Sequence, residues 1–112
     1  MGNGECEPKL LREHFCKLIE GKGESQSPSD AESDAERKFQ DQVLTQEKAA
    51  RAAASAWIDS VKCTPPCTKR GFVGGEQKGT VHWHISAPRK KGGYYVAFKW
   101  QWVCYDPTVI CD

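Results

Sequence analysis

Long apolar runs are missing from this sequence, and with them the membrane-spanning helix that needs about 20 consecutive apolar residues. There is no glycine-rich phosphate loop and no pair of catalytic carboxylates, so nucleotide-driven chemistry and carboxylate acid–base catalysis lack their usual signatures. No segment repeats. The opening Met1-Gly2-Asn3-Gly4-Glu5 has neither a basic region nor an apolar stretch, which argues against an export signal. Net charge is nearly absent, at +1 over 112 residues. A chain this short has room for one domain with one modest core, taken as residues 1–112. No cofactor is implied.

Cysteines and aromatics, by contrast, are plentiful. Cys6, Cys16, Cys63, Cys67, Cys104 and Cys111 form an even set in a short chain, which favours disulfides while leaving every pairing open. Disulfides place the protein in an oxidising compartment, extracellular or periplasmic, although no cleaved signal is recognisable. Four Trp, four Phe and three Tyr supply the bulk of the core. Charge is split along the chain: residues 1–60 hold eight Lys/Arg against twelve Asp/Glu, and residues 61–112 hold eight against three. Two readings fit this split. The halves attract each other, or the basic half faces an anionic partner.

Residues 8–20 read as a short first helix. Leu11, Phe15, Leu18 and Ile19 recur at helical spacing, Pro8 suits a first turn and Gly21 suits a C-terminal stop. Residues 21–29, rich in Gly and Ser, read as a connector. A long helix then runs from about Asp30 to Lys62, capped by Ser29 or Asp30, with Ala31, Ala35, Phe39, Val43, Ala50, Trp57 and Val61 along its apolar line. The alanine run at 49–56 has little bulk, so another element can approach closely. The prolines of Cys63-Thr-Pro-Pro-Cys67 end the helix. The expected fold is therefore α+β. A helical acidic half (1–62) packs on a basic β-rich half (63–112) that forms an antiparallel sheet of about three strands stapled by disulfides.

The clearest β signal is Thr80–Ser86, which alternates strictly, followed by an alternating aromatic run from Tyr94 to Tyr105. A hairpin with a loop at 89–92 sets Ile85 opposite Val96, Trp83 opposite Phe98 and Val81 opposite Trp100. That register turns Phe98, Trp100, Trp102 and Cys104 toward the helix. It presents His82, His84 and Lys99 on the other face.

Two imidazoles beside an ammonium match the needs of metal-free phosphodiester cleavage: a base, an acid and a cation for the charged intermediate. Lys69, Arg70, Arg89, Lys90 and Lys91 add a basic surface that suits phosphates or acidic side chains, with Tyr95 beside it. The plainer reading makes His82 and His84 ordinary outer-face residues. Zinc at Cys63, Cys67, His82 and His84 is weaker still, because the histidine spacing departs from zinc-finger patterns and disulfides use the cysteines; no metal is assigned. A stacking platform built from Trp83, Trp100, Trp102, Phe98 and Tyr94 yields to a core role in this register. His14 reads as a solvated helix residue. Cys104 fails as a nucleophile because the register buries it away from both histidines.

The composition thus points first to a non-enzymatic recognition module of a secreted or interbacterial system. It would bind a protein or another anionic partner through residues 68–99. The alternative is a small ribonuclease-type toxin with His82, His84 and Lys99 as its working residues. Nucleic acid is a partner class the basic half permits. Oligomeric state is not encoded in any pattern found.

Overall fold

The 17-residue strand at the C-terminus organises the fold, because every other strand pairs with it. In the computed structural model, which describes residues 4–112, the elements are β1 (Lys9–Arg12), β2 (Phe15–Ser25), α1 (Pro28–Ser60), β3 (Lys69–Lys78), β4 (His82–Ser86) and β5 (Tyr95–Cys111). Met1, Gly2 and Asn3, on which the export-signal reading partly rests, lie outside the described residues.

All five strands are antiparallel to their partner, and they occupy three tracks. β1 and β2 keep one register along one edge of β5, with Lys9 opposite Cys111 and Phe15 opposite Tyr105. The break between them falls opposite Pro107, which has no N–H to give a ladder. Its carbonyl still accepts from the Glu13 N–H at 3.2 Å. β3 and β4 line the other edge, with a register shift between Val73 and Glu76 at the Gly74–Gly75 pair.

The helix covers one face of this ribbon. Ser27 caps it, its side chain accepting from the Asp30 N–H, and Pro28 fills the first turn. Its buried residues are Ala31, Ala35, Phe39, Ala50 and Ala54, a stripe of mostly small side chains. The floor beneath is equally small. β2 contributes Gly21 and Gly23, and β5 contributes Ala97. Helix backbone and strand backbone touch there: a Cβ built on Gly21 would lie 2.2 Å from the Ala35 carbonyl oxygen. Further along, Ile19, Val103 and Val109 are fully buried, each contributing roughly 2 kcal/mol by removal of apolar area from water.

Three disulfides join Cys6 to Cys67, Cys16 to Cys104, and Cys63 to Cys111. They are compatible with an oxidising environment. None of the described helices is long and apolar enough to cross a membrane.

The α+β class, the long helix and the disulfide staples agree with expectation. Other expectations do not hold: residues 21–25 continue β2 and are not a connector, Ser27 and not Ser29 or Asp30 caps the helix, and Phe98, Trp100, Trp102 and Cys104 lie on the face of β5 away from the helix. Residues 8–20 are β1 and the start of β2, not a helix, because their apolar residues pair with β5 instead of facing one another around a turn. The sheet has five strands, not about three. The β4–β5 register is displaced by one residue: His82 faces Trp100, His84 faces Phe98 and Ile85 faces Ala97. Because side chains alternate along a strand, that single step exchanges the two faces of β4 relative to β5.

Candidate functional site

The helix-covered face of β5 carries Ala97, Lys99, Val103, Tyr105 and Val109, all buried. The opposite face therefore carries Val96, Phe98, Trp100, Trp102, Cys104, Asp106, Thr108 and Ile110, of which only Thr108, opposite Arg12 and Phe72, is buried. Among the described residues no second layer of helix or strand covers it. On the flanking tracks the residues directly opposite are Leu18 beside Trp102, Glu20 beside Trp100, Lys22 beside Phe98, and, across β5, His82 and His84. The His82 ring stacks on Trp100 with centroids 5.2 Å apart and planes 19° apart. Trp102 is 50% exposed, and Leu10 and Phe72 near the other end of the ribbon are 56% and 54% exposed.

The charges on this face are largely answered within the chain. Lys22 pairs with Glu24 at 3.1 Å, Arg70 with Asp112 at 2.8 Å, and His14 with Asp106. A hydrogen bond from His14 is the chief cause that holds the Asp106 carboxyl below the usual carboxylate range. A groove of about 780 Å³ between β2 and the helix is similarly balanced, its Asp34 bonded to Lys38 and Arg37.

The residues singled out from sequence are only partly brought together. His82 and His84 share the open face, and Ser86 donates to or accepts from the His84 ring at 3.2 Å. Lys99 does not join them. Its side chain runs under the helix, where the ammonium pairs with Glu36 and lies 4.2 Å from the centre of the Phe39 ring. Lys99 is 9% exposed, and its hydrogen bond keeps the Glu36 carboxyl below its ordinary range. The acid, base and cation of a metal-free nuclease are thus split across the sheet. Tyr95 also faces the helix side, packed with Ala31, Ala35 and Ala97.

The basic residues divide in two. Arg70, Lys78 and Lys99 are held by Asp112, by Glu47 and Glu76, and by Glu36. Two of these partners, Glu36 and Glu47, are on the helix, so attraction between the halves explains part of the charge split. Lys69, Arg89, Lys90 and Lys91 are exposed and make no ion pair with the described residues. The last three sit in the β4–β5 turn, at one end of the aromatic row.

Sequence reasoning missed a second cluster on the open face. His14 lies across from Asp106 and two residues before Cys16, its Nε2 3.0 Å from Cys16 Sγ. His14, Cys16 and Cys104 bring potential ligand atoms within 4.8 Å of one another, but the two sulfurs are bonded to each other and offer no thiolate. The alternation of His14 and Cys16 was the available signal, masked by reading residues 8–20 as helical.

No known protein family, curated protein or solved structure matches this chain.

Proposed function

We propose that this protein is a non-enzymatic recognition module, secreted or interbacterial in setting, that binds a protein partner through the open face of its sheet. The observation that carries this reading is the row Phe98, Trp100 and Trp102 on a face that none of the described elements covers, with Trp102 half exposed. Buried aromatic anchors inside a charged rim are the anatomy of protein interfaces. The near balance of charge on the face favours a protein over a phosphate backbone, which demands a continuous track of unpaired cations. The free cations Arg89, Lys90 and Lys91 add an acid-seeking rim at one end, so the partner surface has an apolar centre and acidic margin.

A photo-crosslinking side chain placed at position 102, and for comparison at Leu44 on the outer helix face, tests this in the native setting. Position 102 should give one discrete adduct with a different protein, and position 44 none. With that partner purified, Trp102→Ala should weaken binding about 30-fold, the loss expected of a residue worth about 2 kcal/mol. An adduct of the chain with itself, an adduct from position 44 alone, or unchanged affinity in Trp102→Ala would each refute the reading.

A further inference from the structure

The Cys16–Cys104 disulfide differs from the other two in its surroundings. It joins β2 to β5 on the open face, between the aromatic row and the apolar patch around Leu10 and Phe72. Cys111 of the Cys63–Cys111 bond, by comparison, is 2% exposed, while Cys6 and Cys67 are half-buried as Cys16 and Cys104 are but have no imidazole bonded to either sulfur among the described residues. An imidazole addresses only one of its sulfurs: His14 Nε2 is 3.0 Å from Cys16 Sγ, and Nδ1 is hydrogen-bonded to the Asp106 carboxylate. Asp106 is itself fixed by the Gln77 amide at 2.7 Å, and the Glu13 side chain accepts from the His14 backbone N–H at 3.2 Å. The charged groups around the ring are therefore Asp106 from β5 and Glu13 and Arg12 from its own turn, while β3 contributes the neutral Gln77.

A carboxylate and a disulfide sulfur both accept hydrogen bonds. The contact of Nδ1 with the Asp106 carboxylate turns Nε2 toward Cys16 Sγ. A proton delivered from Nε2 would reach Cys16 Sγ, the sulfur that departs when a nucleophile attacks Cys104. His14 itself has 59% of its side chain open to solvent.

We propose that Cys16–Cys104 is a redox-active disulfide that exchanges with a thiol, with His14 as general acid and Asp106 as the positioning residue. A thiolate of the co-reactant attacks Cys104 Sγ, forming a mixed disulfide as the Cys16–Cys104 bond breaks. The electron pair of that bond leaves with Cys16 Sγ, which takes the proton from His14 Nε2. A second thiolate then attacks the co-reactant's sulfur in the mixed disulfide. It releases the oxidised co-reactant and the Cys104 thiolate. Two thiols are thereby oxidised to one disulfide, and one protein disulfide is reduced to two thiols.

Timed reduction of the folded protein by glutathione, with acid quenching, alkylation and mass mapping, tests this. Cys16 and Cys104 should be labelled before the other four cysteines, and the transient glutathione adduct should map to Cys104. His14→Ala should slow this step at least about tenfold, less than general acid catalysis usually gives because a thiol already leaves well. The preference of the adduct for Cys104 should fall in His14→Ala, a change that a purely structural role for the imidazole would not produce. Asp106→Asn, which keeps the size of the side chain, should slow the step in the same direction. Reduction of all three bonds together, an adduct on Cys16, or equal rates in wild type and in both folded variants would overturn the proposal.

Discussion

Gly21→Ala is expected to cost about 3 kcal/mol of stability, at the top of the usual range for overpacking, and Gly21→Val to leave the chain largely unfolded. The cause is the absence of any room for a methyl group. A Cβ at Gly21 would sit 2.2 Å from the Ala35 carbonyl oxygen and 2.4 Å from the Phe39 nitrogen. Both are helix backbone atoms, which cannot swing aside as a side chain can. Gly23 repeats the pattern one step along, 2.1 Å from the Ala31 carbonyl oxygen and 2.5 Å from the Ala35 nitrogen. Lifting the helix to relieve either clash would forfeit contacts along its whole length. Gly75→Ala serves as the control, since nothing lies within 4 Å of its added Cβ. Urea unfolding should show Gly75→Ala within about 0.5 kcal/mol of wild type, as for ordinary surface changes. A Gly21→Ala protein as stable as that control would mean that the helix does not rest on β2.

The second large effect is expected from the double substitution Cys63→Ser/Cys111→Ser, at roughly 3–5 kcal/mol. Cys63 follows the end of the helix, and Cys111 closes the central strand. The bond between them encloses a sequence separation of 48 residues, so its loss returns much conformational freedom to the unfolded chain. The cost is also local. Among the described residues β1 and β3 pair with β5 alone, and its last residues hold both. Total stability of a small domain is about 5–15 kcal/mol, so a loss of this size removes a large share of it. Denaturant midpoints of the oxidised variant and wild type measure it directly. A difference below about 1 kcal/mol would show that the bond is ornamental to folding.

The long helix, its proline-marked end and the cysteines as staples were legible in the sequence, because each has a local signature; its start was not, since Ser27 caps it and residues 21–25 are strand. β2 was not. Its helix-facing positions, Phe15, Lys17, Ile19, Gly21 and Gly23, include two glycines where alternation would place apolar bulk. The remaining Leu11, Phe15, Leu18 and Ile19 then mimic a helical stripe. The same glycines explain the inverted face of β5. A helix lined with alanine and resting on glycine leaves no space for indole rings. The small or extended residues Ala97 and Lys99 go beneath it, and Trp100 and Trp102 go to the outside.

The site suffered from the same one-residue displacement. His82 and His84 do lie on the face opposite the helix, as expected, but they share it with the tryptophans and not with Lys99. The uncovered aromatic row favours recognition over a nuclease whose cation is committed to Glu36. His14 escaped attention because Asp106, its partner, is 92 residues away. Only the pairing of β2 with β5 brings the two together.

Everything proposed for the open face depends on which way Trp102 points, and nuclear magnetic resonance with a soluble gadolinium chelate reads that in the intact protein. The chelate should strongly broaden the Trp102 indole Nε1–H while leaving the methyl signals of Ala97, Val103 and Val109 sharp. Bound partner should then restore the indole signal. A sharp Trp102 indole in the free protein, with Ala97 and Val103 broadened instead, would put the aromatic row under the helix and contradict the recognition face.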